Sequence, residues 1–137
     1  MEKFTLDVIL PFHVHDELLA KALESCLDAL PENSRTILVN TIGPSGTGYN
    51  RIPSVTEIYL EGADYLSALN FGLMCSDAEY VALMNSDDLV DPARFEKQIE
   101  VLRKSNADIC ATNILKFSQQ SNGSRLFIPP LLGVPPR

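Results

Sequence analysis

The residues best equipped for chemistry stand together in Asn85-Ser86-Asp87-Asp88, with Asp91 and Pro92 close behind. They follow directly on a short apolar run, Tyr80 to Met84. A run of that length bounded by turn residues suits a strand buried on both faces, as in a parallel sheet. In open α/β sheets, ligands sit outside the carboxyl ends of the strands. Asp87 and Asp88 at such an end are placed to hold a cation, because hard divalent cations take oxygen ligands. The same residues also suit a plain polar turn leading into a helix, with Asp91 as cap and Pro92 at the first helical position. His13 and His15 fall in another strand-end loop, where a metal or base role competes with simple exposure.

Alternating strands and helices must position these groups. Phe4 to Leu10 reads as a first strand ended by Pro11, and Asp16 caps a helix over Glu17 to Leu30. The apolar residues of that helix, Leu18, Leu19, Ala22, Leu23, Cys26, Leu27 and Leu30, recur with a 3.6-residue period. Pro31 stops it. Arg35 to Val39 is a second strand closed by Asn40. Gly43 to Asn50 has loop composition and matches neither a dinucleotide fingerprint nor a P-loop, so a flexible connection is expected there. Val55 to Leu60 alternates apolar and polar residues, which suits an edge strand. Asp64 to Cys75 reads as a helix despite Asn70 and Gly72, both poor helix formers. After Tyr80 to Met84, a helix runs to near Ser105. Asp108 to Leu115 reads as a strand, Ser121 to Ser124 as a turn, and Arg125 to Ile128 as a last strand. The order β-α-β-β-α-β-α-β implies a mainly parallel sheet with helices on its faces. The strand ends near Pro11 to His15, Asn40 and Asn85 to Asp88 are expected to share one cleft.

Four of these stretches, in order, resemble the N-terminal, nucleotide-binding half of a family 2 glycosyltransferase, the inverting class with a GT-A fold. Leu6 to Phe12 resembles the opening strand that ends in proline. Leu23-Glu24-Ser25-Cys26-Leu27 is similar to the family's "aL-S-l" helix. Ala68 to Leu73 resembles its "arN-x-G-i" segment, which accounts for Asn70 and Gly72. Glu79 to Asp88 resembles "geyi-fl-D-s-D-D". The resemblance spans about residues 4 to 115. It implies a GT-A, Rossmann-like three-layer α/β/α fold. It also implies a nucleotide-diphosphate sugar as donor, UDP-sugars favoured, with an unknown acceptor hydroxyl. A divalent cation, Mn²⁺ or Mg²⁺, would be held by Asp87 with Asp88 assisting, and it would stabilise the leaving diphosphate. Asn85 would meet the ribose. Pro11, Phe12 and Asn40 would line the base pocket, and Asn70 and Ser86 complete the nucleotide-binding set.

Two departures stand out. The family usually has Asp where Asn40 or Thr41 stands, and Asp in place of Asn85. Asn keeps an acceptor at each place but brings no charge. The family's second half, with the acceptor site and the general base, would begin near the end of this sequence. Asp108 and Glu100 match no family motif, so the catalytic base is unknown and a truncated domain, inactive alone, is expected. The expected divisions are a nucleotide-sugar-binding domain over 1–128 and a Pro-rich tail over 129–137. The apolar tail could support self-association. The alternative is a degenerate, non-catalytic binding module of the same fold. A flavodoxin-like or receiver-type domain fits less well, lacking a matching Lys and phospho-acceptor arrangement.

Composition agrees with a globular domain: 137 residues, 45% hydrophobic and 21% charged. The net charge of −7 argues against a nucleic-acid partner, which would need a basic face. No apolar run of about 18 residues marks a membrane span. Cys26, Cys75 and Cys110 lack metal-ligand spacing and read as buried free thiols of a reducing compartment. A cytoplasmic location is expected, where nucleotide sugars are also found.

Overall fold

The structure is a computed structural model that describes residues 3–119 and 125–128. Contacts divide the chain into two compact units, Met1–Glu100 and Val101–Arg137.

The first unit is built on a four-stranded sheet: β1 (Leu6–Phe12), β2 (Ser34–Asn40), β3 (Val55–Tyr59) and β4 (Tyr80–Leu83). Its order is β3-β2-β1-β4, and every pairing is parallel. Helices α1 (Glu17–Ala29), α2 (Tyr65–Met74) and α3 (Arg94–Ser105) complete the alternation, giving the expected α/β architecture. Side chains alternate across β1. Val8, Leu10 and Phe12 meet Leu19, Leu23 and Cys26 of α1 and Phe95 and Ile99 of α3. Ile9, with Ile37 and Val39 of β2, meets Ala68 and Leu69 of α2. The three-layer core follows from that alternation.

Helices α1 and α2 start where their caps predict. Asp16 Oδ1 accepts from the Leu19 amide at 3.0 Å, and Asp64 Oδ1 from the Ser67 amide at 2.8 Å. Asp91 instead accepts from the Ala93 amide at 2.9 Å, so Asp91-Pro92 forms a turn and α3 begins two residues later than expected, at Arg94. As the alternation of β3 suggests, that strand lies at an edge. β4 also lies at an edge among the described residues, contrary to the expectation of a strand buried on both faces. Its Val81 and Leu83 are 40% and 47% exposed, because α2 lies over β1 and β2 instead.

Gly72 has a packing role. A Cβ there would stand 2.5 Å from Ile9 Cγ2 and 3.2 Å from Val39 Cγ2. α2 can lie this close to the sheet only without a side chain at that point. Far from the cleft described below, Asp7 is fully buried in a bidentate pair with Arg35 (Nε–Oδ1 3.0 Å, Nη2–Oδ2 2.8 Å). Ser76 Oγ donates to the same carboxylate at 2.6 Å. Of the cysteines, only Cys26 is buried as expected; Cys75 is exposed and Cys110 half-buried. Burial pushes the Cys26 thiol up to about 11.

The second unit holds the end of α3 and a hairpin of β5 (Lys116–Gln119) with β6 (Arg125–Ile128). The two strands are antiparallel, with Phe117 opposite Phe127. The strand expected over Asp108 to Leu115 does not form. Ile109 and Ile114 there are 86% and 82% exposed. A strand-like composition yields a strand only within a ladder and against a packing face, and the two sheets of the described residues do not include this stretch. The turn expected over Ser121 to Ser124 and the tail over 129–137 lie outside the described residues.

Replacing Gly72 by Ala should lower stability by about 1–3 kcal/mol, the usual cost of overpacking, despite alanine's better helix propensity. Urea unfolding measures this; an unchanged or raised midpoint would mean the helix–sheet approach is not tight.

Candidate functional site

Parallel pairing brings the carboxyl ends of β1, β2 and β4 to one edge of the sheet. A cleft of about 650 Å³ opens there. Pro11 and Phe12 form its wall at the end of β1, and His13, Val14, Asp16 and Leu18 continue it into α1. Thr41 enters from the end of β2, and Ala63, Asp64, Tyr65 and Ala68 from the start of α2. Asn85, Ser86 and Asp87 close it after β4. Five of the eight residues expected from the sequence, Pro11, Phe12, Asn85, Ser86 and Asp87, therefore meet in one place. Asn40, Asn70 and Asp88 do not line it.

Asn40 is 2% exposed and fully committed inside the protein. Its Nδ2 donates to Glu57 Oε2 at 2.8 Å, and its Oδ1 accepts from the amides of Ile42 and Gly43 at 2.8 and 3.2 Å. The adjacent Thr41 reaches the cleft instead, anchored by its hydroxyl donating to the Phe12 carbonyl at 2.9 Å. The other oxygen of Glu57 accepts from the Thr47 amide and hydroxyl at 3.2 and 2.6 Å. The Gly43 to Asn50 loop is thus tied to β3 by a buried carboxylate, where its composition suggests a flexible connection. Glu57 also gives Asn40 a structural reason: an Asp there would set two carboxylates against each other in the core. The signal was present in the alternation of β3, since Glu57 shares its inward face with Val55. A buried carboxylate must find donors.

Three carboxylates line the cleft. Asp16 and Asp64 each give an oxygen to the amide that starts a helix. The Ser67 backbone N–H holds the Asp64 carboxyl below the usual carboxylate range. Asp87 makes no hydrogen bond or ion pair among the described residues and stays exposed. Asp88, turned out of the cleft, accepts from Asn85 Nδ2 at 3.3 Å and faces the half-buried Arg94. Burial lowers the Arg94 guanidinium from its ordinary value, and the Asp88 charge opposes that shift. Asn85 Oδ1 accepts from the Tyr65 hydroxyl at 2.7 Å. His15 packs edge-on against Tyr49, while His13 stands on the cleft wall.

No Lys or Arg lines the cleft, and no three His, Cys, Asp or Glu gather to hold a metal among the described residues. A cation here would need oxygens from its ligand, as Mg²⁺ commonly does beside phosphates. Conversely, a diphosphate entering this acidic cleft would need a cation to offset the carboxylates. Asp87, exposed and uncommitted, fits that arrangement.

The family model for glycosyl transferase family 2 matches residues 7–130. The chain belongs to that family. Curated relatives include an uncharacterized glycosyltransferase of Rickettsia typhi, 26% identical over 129 residues, covering 91% of this chain and 41% of the relative. Uncharacterized glycosyltransferase EpsJ of Bacillus subtilis is 24% identical over 133 residues, covering 93% of this chain and 38% of the relative. The chain therefore spans less than half the length of these relatives. Among solved structures, it resembles S. aureus TarS with a TM-score of 0.67 and 16% identity, covering 77% of this chain and 34% of that one. It also resembles the mannosyltransferase PcManGT of Pyrobaculum calidifontis, in complex with GDP-Man and Mn²⁺, with a TM-score of 0.62 and 18% identity. That match covers 74% of this chain and 33% of the other. These likenesses establish a GT-A glycosyltransferase fold for this family 2 member. No helix among the described residues is long and apolar enough to cross a membrane.

Changing Asn40 to Asp should destabilise this protein by at least about 2 kcal/mol at neutral pH, since a buried donor is exchanged for a charge. The deficit should shrink in acid, where one of the two carboxyls takes a proton. Thermal unfolding across pH measures it; a neutral substitution would mean that Glu57 does not constrain position 40.

Proposed function

We propose that this chain binds the nucleoside diphosphate part of a nucleotide-sugar donor, UDP-sugars first, in the cleft at the ends of β1 and β4. It would serve as the donor half of a glycosyltransferase that moves the sugar, with inversion, to an acceptor hydroxyl. The observation that carries the proposal is Asp87, the one cleft carboxylate uncommitted among the described residues, in a cleft lined by no Lys or Arg.

In this reading Pro11 and Phe12 offer the base an apolar wall, with Thr41 as the polar group beside it. Asn85 accepts from a ribose hydroxyl. Asp87 holds a divalent cation whose remaining ligands are diphosphate oxygens and water. When bound, that ion would neutralise the charge that develops on the leaving diphosphate. Asp88 keeps the turn in shape from behind rather than touching the ion. Asn40 and Asn70 lie outside the cleft and have no donor contact. The general base and the acceptor contacts belong to no residue identified in this chain.

The degenerate-module alternative drew on the two Asp-to-Asn departures. Glu57 beside Asn40 gives that asparagine a local cause, so that departure by itself does not favour loss of function.

Calorimetry with UDP and GDP, each with and without Mn²⁺, tests the proposal; GDP is included because the structural neighbour PcManGT is named with GDP-Man. Metal-dependent binding of at least one nucleotide is expected, and Asp87→Ala should weaken it at least about 10-fold, the loss of one good charge interaction, while leaving the melting temperature unchanged. Equal affinity with and without Mn²⁺, or an Asp87→Ala variant that binds normally, would overturn the assignment.

A further inference from the structure

The donor reading gives no role to Tyr65, although its hydroxyl lies 2.7 Å from Asn85 Oδ1 and its ring lines the cleft. The polar groups around Asn85 leave its amide one orientation. The Asp88 carboxylate, 3.3 Å away, can only accept, so the amide NH₂ must face it. The amide oxygen then faces Tyr65, whose hydroxyl must donate. Tyr65 is itself held in place as the first residue of α2, which Asp64 caps through the Ser67 amide. An amide carbonyl has two lone pairs. Tyr65 occupies one, and the second remains for a hydroxyl donor from a ligand in the cleft that Asn85 lines.

We propose that Tyr65 is a positioning residue that sets sugar specificity: with Asp88 it locks the Asn85 amide as a hydrogen-bond acceptor, so that the cleft selects ribonucleotides over their deoxy forms. The inference rests on the donor reading above. A free asparagine could turn its NH₂ to the ligand as easily as its oxygen; the Tyr65–Asn85–Asp88 chain removes that choice before a ligand arrives. A deoxy ligand would lack the hydroxyl that the second lone pair is oriented to receive, which is how a site built around a hydrogen bond disfavours an analogue without it.

The test compares UDP and GDP with their 2′-deoxy and 3′-deoxy forms, titrated in Mn²⁺ against the wild-type chain, Tyr65→Phe, Asn85→Ala and the double variant. Wild type should prefer the ribonucleotide over at least one deoxy form by about 10-fold, the worth of one hydrogen bond. Tyr65→Phe should cut that preference to below about 3-fold while binding the deoxy form as before, a ratio that a general loss of structure would not change selectively. In the Asn85→Ala background the tyrosine change should do nothing more. Tyr65 is 54% exposed, so its variant should melt with wild type. Should it fail to fold, Asp88→Ala removes the other restraint on the amide and must also reduce the preference. Wild-type protein that binds no nucleotide would remove both the donor reading and this inference. Binding without a ribose preference, or a preference that survives Tyr65→Phe, would overturn the Tyr65 inference alone.

Discussion

The site depends on one constraint: β1 is hydrogen-bonded in parallel on both sides. Leu6 to Phe12 pairs with Ser34 to Asn40 on one flank, and Leu6 to Ile9 pairs with Tyr80 to Leu83 on the other. All seven residues of β1 are buried. A one-residue slip of a strand paired on both sides would exchange its two buried faces. The slip would bring Asp7 out of its pair with Arg35 and Ser76, at a cost of about 3–5 kcal/mol for a buried charge left alone. That register places Pro11 and Phe12 next to the residues that follow β4. The Asp7–Arg35 pair at one end of the sheet thus supports the alignment at the other.

Electrostatics then sort the acidic residues. The chain carries a net charge of −7, yet its acidic side chains at the strand ends have different partners. Asp16 and Asp64 satisfy helix amides, Asp88 faces Arg94 and Asn85, and Glu57 holds a loop to the sheet. Only Asp87 projects into the cleft without such a partner among the described residues. A carboxylate left free in an acidic cleft is an unfavourable arrangement unless a cation or a donor group completes it. The donor reading supplies the cation, brought with the diphosphate.

The alternation of elements, the position of the cleft and the placement of Asp87 in it were legible in the sequence, because hydrophobic period and turn residues report directly on backbone geometry. Gly72 was legible as an anomaly, and the contact with Ile9 explains it. What the sequence concealed are pairings between residues far apart in the chain. Nothing local to Asn40 marks Glu57 as its partner, and nothing local to Tyr65 points to Asn85, twenty positions on. Asp7 sits in an otherwise apolar run and gives no sign of Arg35. The stretch 108–115 failed for the opposite reason: its local pattern is strand-like, but it joins neither sheet of the described residues.

The central claim is that a cation sits at Asp87 together with a nucleoside diphosphate. Paramagnetic broadening of backbone amide signals by Mn²⁺, recorded on the full chain with saturating UDP or GDP, locates the ion most directly. Broadening centred on Ser86 and Asp87, falling off through Tyr65 and Phe12 and sparing Asp7 and Ser76 at the far end of the sheet, is the predicted pattern. Broadening centred elsewhere, or equal with and without nucleotide, would contradict it.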